Sequence, residues 1–158
     1  GTINGYSPVL RNDVMLNAMT NTAWNKNKIF LYSENTKRSI LGTNDLSSAI
    51  QKIIESNKKD GGIYNLSSFT KTSGELAEIV SKKTGCEIEK LIVDNNHKIV
   101  GNEKLISSKY NFSVSNKKFI DEFSFTFCDT PEIIIDSLII NKENMILTDR
   151  NSSYNYRG

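Results

Sequence analysis

The chain has 158 residues, which fits one domain, and 37% of them are hydrophobic. Its 20 basic and 18 acidic residues are interspersed and leave a formal net charge of +2 at pH 7. This pattern argues against nucleic-acid binding, which needs clustered Lys and Arg, and no apolar run is long enough to span a membrane.

The two cysteines, Cys86 and Cys128, lack the CxxC spacing of a metal or redox site. Lone thiols of this kind are typical of a reducing compartment, and no signal peptide is visible. We therefore expect a cytoplasmic protein without nucleic-acid or membrane partners.

The opening stretch, Gly1 to Met19, is typical of a strand end, a loop and a helix start. Its loop offers polar side chains before apolar helical spacing begins: Tyr6, Ser7, Arg11 and Asn12. Ligands of α/β proteins bind outside the carboxyl ends of strands, so we expect a binding site here. Because the stretch starts without methionine and inside an element, we also expect the chain to be the back portion of a larger protein.

The next elements alternate between helix and strand. Asn12 or Asp13 is expected to cap a helix that runs to about Lys26, and short strands are expected over Ile29–Tyr32 and 38–41. A second helix, capped by Thr43, Asn44 or Asp45, has the most regular apolar face in the chain. This face comprises Leu46, Ala49, Ile50, Ile53 and Ile54.

Alternation continues through the second half of the chain. We expect a strand over Ile63–Leu66, a helix from the capping box Thr72-x-x-Glu75 to Gly85, and an extended segment over Glu87–Val93. Two more helices are expected, one capped by Ser115 and one starting at Thr130-Pro131, and a polar tail that frays from Asn141. Strands and helices at this spacing indicate an α/β protein.

Motifs for several kinds of catalysis are missing from the sequence. None of the 9 glycines forms G-x-G-x-x-G, no tyrosine is followed by lysine four residues on, and no G-x-S-x-G elbow occurs. The single histidine, His97, lies in a polar run and reads as an exposed loop residue rather than a metal ligand. We therefore expect no catalytic residue and no metal site within these residues.

The ordered segments resemble the C-terminal part of the extended short-chain dehydrogenase/reductases, the NAD-dependent nucleotide-sugar epimerases and dehydratases. The family's motif R-x-G-T-V-Y-G-x-S-P-R resembles residues 1–8 with Arg11 just beyond, and R-x-x-x-H-V-x-D-L-A-x-A resembles residues 38–49. The family's G-x-x-Y-N-L-x-S strand and T-x-x-E-L-A helix start resemble 61–68 and 72–77. A weaker match to Y-x-V-S-x-x-K falls on 112–118.

The resemblance implies a fold, and it implies that substrate and cofactor are bound mainly by different parts of the enzyme. The expected fold is the C-terminal portion of a Rossmann-like enzyme, with the last parallel strands and a small substrate-binding α/β region in residues 1–140, followed by the polar tail 141–158. The glycine-rich NAD loop and the catalytic Tyr-x-x-x-Lys are expected upstream of Gly1, so NAD is bound mainly by a part outside this chain. The implied partner is a nucleotide-diphosphate sugar, and the full-length enzyme is expected to be a homodimer.

The resemblance also implies substrate-binding residues. Arg38 matches a family arginine that lies beside the diphosphate, and Asn12 matches an asparagine that contacts the diphosphate. Thr2 matches a residue that touches the sugar-nucleotide. Tyr6 and Arg11 are further candidates. Gly1 falls on the cofactor side of the site. For Arg38, Asn12 and Thr2 the alternatives stay open: a surface arginine, a plain helix cap and a strand-packing threonine.

Two departures from the family pattern bear on activity. Gly42 replaces the usual histidine and is expected to loosen the strand before Asp45, which reads as a helix cap. The second substrate arginine is replaced by Tyr110, with Lys109 as a stand-in. Two functions remain: the substrate-binding portion of an NAD-dependent epimerase or dehydratase, and a non-catalytic sugar-nucleotide or protein-binding module derived from that family.

Overall fold

The computed structural model describes residues 1–56, 61–91 and 111–148. In the first half the elements are β1 (Thr2–Asn4), β2 (Val9–Arg11), α1 (Met15–Lys26), β3 (Lys28–Leu31), β4 (Lys37–Gly42) and α2 (Thr43–Glu55). The second half contains β5 (Phe69–Thr72), α3 (Ser73–Thr84), β6 (Glu87–Lys90), α4 (Lys117–Phe123), α5 (Pro131–Ile140) and β7 (Ile146–Thr148). The expectations for His97, Lys109 and Tyr110 fall outside the described residues.

The strands form three small sheets. The largest has the order β1-β4-β5, in which β1 runs parallel to β4 and β5 runs antiparallel to it. Thr2 lies opposite Ile40 and Asn4 opposite Gly42, so the loop after β1 and the start of α2 leave the sheet at the same edge. The pairs β2–β7 and β3–β6 are also parallel.

The main core lies where α1, α3 and α5 pack together beside β3. It is built from fully buried aliphatic side chains, among them Leu16, Ile29, Leu76, Val80, Ile135 and Leu138. A second cluster joins α2 to α4 through Ala49, Phe119 and Phe123, with the rings of Tyr64, Phe125 and Phe127 packed against them. Most of its ring pairs meet edge to face, the geometry that aromatic quadrupoles favour.

Several predicted elements are confirmed. β4 covers the predicted strand 38–41, and β3 overlaps the predicted strand Ile29–Tyr32 but ends one residue earlier. α3 begins with the predicted capping box at Thr72, and Gly85 ends it with a positive φ of 75°. α5 begins at Pro131, and the Thr130 hydroxyl accepts a hydrogen bond from the backbone N–H of Ile133. These signals are local, so the fold does not override them.

The predicted helix caps are wrong at three places. α1 follows Val14 rather than Asn12 or Asp13, α2 follows Gly42, and α4 follows Asn116 rather than Ser115. None of these three capping residues makes a side-chain cap bond. At α1 and α2 the cap is supplied by side chains from elsewhere in the chain, as described below.

The predicted strand Ile63–Leu66 is also wrong. The Ile63 side chain is 90% exposed, and the Tyr64 ring packs on the aromatic cluster while its hydroxyl hydrogen-bonds Glu122 at 2.6 Å. The segment is therefore used for side-chain packing, and pairing with β4 begins only at β5.

The predicted amphipathic helix α2 is confirmed. Of its apolar face only Ala49 is fully buried, and Ile54 is 77% exposed, because the described elements around α2 cover one side of it.

One further expectation fails, since the chain does not fray at Asn141. A single 3-10 turn, Lys142–Asn144, leads into β7, which pairs with β2.

Candidate functional site

A cavity of about 640 Å³ lies between α1 and the strands β1 and β4. Its polar lining residues are Thr2, Asn4, Arg11, Asp13 and Arg38. Its apolar lining residues are Val14, Met15, Ala18, Met19 and Ile40. One face of α1 thus supplies an apolar wall opposite a group of charged and hydrogen-bonding side chains.

Two buried asparagines hold the loop that forms this cavity. Asn4 Oδ1 accepts hydrogen bonds from the backbone N–H groups of Leu16 and Asn17, which caps the N-terminus of α1. Asn17 Oδ1 in turn accepts from the backbone N–H of Gly5, and its Nδ2 donates to the carbonyl of Arg11. This network replaces the predicted cap by Asn12 or Asp13.

Arg38 reaches the cavity from the beginning of β4. Its guanidinium carbon lies 5.3 Å from the centroid of the Phe112 ring, and its Nη1 donates to the carbonyl of Lys37 at 2.7 Å. The side chain is partly buried. A guanidinium held in one orientation beside a cavity is suited to paired phosphate oxygens.

Arg11 lies at the exposed side of the same cavity and forms a two-bond ion pair with Asp13. Nε to Oδ1 measures 2.9 Å and Nη2 to Oδ2 measures 2.8 Å. The hydrogen bond to Asp13 raises the pKa of Arg11 above its ordinary value, so the group stays charged. Asp13 offsets part of the Arg11 charge.

The structure brings together three of the six predicted site residues: Thr2, Arg11 and Arg38 line one cavity. Asn12, Tyr6 and Gly1 are not among its lining residues. The backbone N–H of Asn12 donates to the carbonyl of Thr148, and its Oδ1 is buried with no hydrogen-bond partner among the described residues.

Gly1 packs against its own chain. A Cβ at this position would lie about 3 Å from backbone atoms of Ile40, Leu41 and Leu66, and the Gly1 nitrogen donates to the Leu66 carbonyl at 2.6 Å. The space beside Gly1 is thus occupied by β4 and by the segment before β5. No described residue supplies a glycine-rich phosphate cradle, so these residues do not by themselves fit a dinucleotide.

Sequence reasoning missed Asn4 and Asp13, which line the cavity, and Phe112, whose ring contacts Arg38. Asn4 ends β1 at the ligand-binding edge of the sheet, a position that is a usable signal. Phe112 is 74 residues from Arg38 in the chain, and no local pattern links them.

In the described part of the chain, no helix combines the length and the apolar content needed to cross a bilayer. Among those same residues, no three or more His, Cys, Asp or Glu side chains are grouped closely enough to hold a metal ion.

The chain is similar in fold to solved enzymes that act on nucleotide-sugars. dTDP-glucose 4,6-dehydratase from Bacillus anthracis, solved with NAD, matches with a TM-score of 0.65 and 20% identity over 90% of this chain and 44% of that one. UDP-glucuronic acid 4-epimerase from Bacillus cereus, solved with UDP-glucuronic acid and NAD, matches with a TM-score of 0.64 and 12% identity. That match covers 86% of this chain and 41% of the epimerase. MoeE5, also solved with UDP-glucuronic acid and NAD, matches with a TM-score of 0.66 and 12% identity. That match covers 90% of this chain and 44% of MoeE5.

This is the fold of the extended short-chain dehydrogenase/reductases. The predicted α/β fold class is confirmed. The chain spans less than half the length of these extended short-chain dehydrogenase/reductases. No protein-family model and no curated protein sequence matches it.

Proposed function

We propose that this chain is the nucleotide-sugar binding portion of an NAD-dependent sugar-nucleotide epimerase or dehydratase. The observation that carries the proposal is one cavity lined by Thr2, Arg11 and Arg38. Thr2 and Arg11 were selected from the first sequence motif and Arg38 from the second, 27 residues further along the chain. The fold is independent support, since the solved enzymes that share it include nucleotide-sugar complexes.

The chemistry of the cavity suits a nucleoside diphosphate linked to a sugar. Arg38 would bind the diphosphate by charge-assisted hydrogen bonds, with Arg11 as a second cation. Thr2 offers a hydroxyl to sugar or ribose hydroxyls, and Asp13 offers a carboxylate acceptor. The apolar wall on α1 is suited to the face of a sugar or base ring.

The role of these residues is to bind and orient the sugar. NAD, when bound, would remove a hydride from a sugar carbon and later return it. The surroundings of Gly1 argue that the cofactor is held mainly by polypeptide outside these residues. We retain Asn12 and Tyr6 as substrate contacts, Gly1 as a cofactor neighbour, and a cytoplasmic homodimer of the complete enzyme as predictions.

The test is a calorimetric titration of UDP-glucose and dTDP-glucose into the intact protein that contains these residues, with an Arg38→Ala variant. Loss of a partly buried charge contact costs about 2–5 kcal/mol, so affinity should fall by about 30-fold or more. Lys82→Ala, which removes an exposed lysine from α3, should leave affinity unchanged. Equal affinity for wild type and Arg38→Ala would exclude this cavity as the diphosphate site.

A second measurement addresses the alternative of a non-catalytic binding module. The 158 residues alone should show no turnover and weak NAD binding, because they contain no glycine-rich loop and no Tyr-x-x-x-Lys. NAD reduction by the purified chain would contradict this. A coding sequence for both motifs directly upstream would favour the enzyme, and a start codon at Gly1 would favour the module.

A further inference from the structure

We propose that Phe112 is a positioning residue for Arg38, and that its aromatic face holds the guanidinium in the orientation that binds the diphosphate. This inference rests on the proposed function, because it assigns a role to Phe112 only if Arg38 binds an anionic ligand. The evidence is the 5.3 Å contact between the Arg38 guanidinium and the Phe112 ring, together with the way residues 111–114 are attached to β4.

The segment that carries Phe112 is hydrogen-bonded to β4 on both sides of Arg38. Asn111 Oδ1 accepts from the backbone N–H of Lys37 at 2.9 Å, and Ser39 Oγ accepts from the backbone N–H of Val114 at 2.9 Å. Ser39 is completely buried. These two bonds fix the register of the segment against β4 and place Phe112 next to the one residue between them.

The ring and the guanidinium are chemically matched for this role. The negative face of an aromatic ring attracts a cation that stacks on it, and stacking uses the face of the guanidinium rather than its N–H groups. A guanidinium carries five in-plane donors, and at least one of those on Arg38 donates to the Lys37 carbonyl. Contact with the ring restricts the orientation of Arg38 without itself using an N–H donor.

The exposure of Phe112 argues against a simple packing role. The residue is 42% exposed and belongs to neither hydrophobic cluster of buried side chains. At this exposure Phe112 gains less apolar burial than a core position would provide. Its contact with a cation at the edge of a cavity gives it a more specific use.

The experiment replaces Phe112 in the intact protein with phenylalanine analogues carrying one, two and three ring fluorines, and measures UDP-glucose affinity by calorimetry. Fluorine withdraws charge from the ring face while changing its volume little, so a cation contact weakens in steps and a shape contact does not. We expect affinity to fall progressively to about 2- to 5-fold below wild type. Phe112→Leu should show a similar loss, and Phe112→Tyr should retain wild-type affinity.

A matched control is the same fluorination at Phe30, whose ring lies 5.8 Å from the ammonium of Lys26 and outside the cavity lining. It should not change affinity. Loss of affinity in Phe112→Leu without any trend in the fluorinated series would overturn the inference, since the ring would then act by shape. If all Phe112 variants bind normally while Arg38→Ala does not, the inference is wrong and the proposed function stands. If Arg38→Ala also binds normally, both are wrong.

Discussion

The helices α2 and α3 begin in the same structural context but are capped in different ways. Each follows a strand directly, and each capping residue has an extended backbone. In α3 the cap is local: Thr72 Oγ1 accepts from the backbone N–H of Glu75, and the Glu75 carboxylate accepts from that of Thr72 at 2.7 Å. In α2 the capping residue is Gly42, which has no side chain to offer.

The cap of α2 comes from Asp129, which lies 84 positions after Asp45 in the chain. Asp129 Oδ2 accepts from the backbone N–H of Asp45 at 2.9 Å, and its Oδ1 accepts from the Asn44 side chain. Asp45 returns the contact, accepting from the backbone N–H groups of Cys128 and Asp129. The pair reproduces the reciprocal logic of a capping box between two distant segments.

The start of α2 therefore depends on tertiary structure, and the start of α3 does not. Asp45 and Asp129 are 3% and 5% exposed, so each carboxylate is shielded from water and depends on the other segment for its hydrogen bonds. The pair also ties α2 to the beginning of α5. Asp45 is therefore not the helix cap that its position in the sequence suggests.

The largest effect is expected from Asp129→Ala. It removes two acceptors at the buried N-terminus of α2 and leaves the Asp45 N–H unsatisfied, which should cost about 2–4 kcal/mol in the free energy of unfolding. Urea denaturation measures this. The control is Asp136→Ala on α5, which removes only an exposed ion pair with Lys83 and should cost less than about 1 kcal/mol. Equal costs for the two variants would remove the distinction between α2 and α3.

The next effect is expected from Gly42→Ala. A Cβ at Gly42 would overlap the carboxylate of Asp129, so the cap must shift, at a cost of about 1–3 kcal/mol. The strand is not loosened at Gly42, because Asp129 fills the space that a side chain would take. Gly61→Ala, at a position with nothing within 4 Å, should have little effect.

A double-mutant cycle sharpens this prediction. If Gly42 and Asp129 act through one contact, the variant carrying both Gly42→Ala and Asp129→Ala should be less destabilised than the sum of the single variants. Strict additivity would show that Gly42 matters for another reason.

The parts of the fold that the sequence predicted are those whose causes are local. The capping box at Thr72, the stop at Gly85 and the helix start at Pro131 each depend on residues within one or two turns. The cap of α2 depends on Asp129, which is distant in the sequence. Residues 63–66 do not form the predicted strand, and Tyr64 among them packs on Phe119 and Phe123. No local pattern specifies either set of contacts.

The candidate site divides in the same way. Motif positions selected Thr2, Arg11 and Arg38, and the cavity they share exists because β1 pairs with β4 and α1 packs beside them. Phe112 and the asparagine network could not be predicted, because their partners are fixed only by the folded chain. The roles of these residues follow from distances between atoms in the folded chain and not from the spacing of residues in the sequence.

A smaller effect is expected from Thr72→Ala, which removes the hydroxyl of the local capping box. Loss of an N-cap side chain costs about 1 kcal/mol, and the bonding partner of that hydroxyl, the Glu75 N–H, is near water. Thr72→Ser keeps the hydroxyl and should restore most of the stability in urea denaturation. A cost as large as that of Asp129→Ala would mean that local and distant caps contribute equally.

The smallest effect concerns the other half of the box. The backbone N–H of Thr72 donates to the Glu75 carboxylate and holds the pKa of Glu75 below its ordinary value, with the Thr72 hydroxyl and Lys71 as lesser causes. A depressed folded-state pKa gives stability that is present above the unfolded pKa, about 4.3, and is lost as pH falls through the folded value. Wild type should therefore exceed Glu75→Gln in its urea midpoint at pH 7, and this advantage should shrink as the pH is lowered below about 4.3. Glu78→Gln on the same helix removes an equal charge without touching Thr72 and corrects for net charge. An advantage that persists unchanged at pH 3 would show that the ionised carboxylate does not stabilise the start of α3.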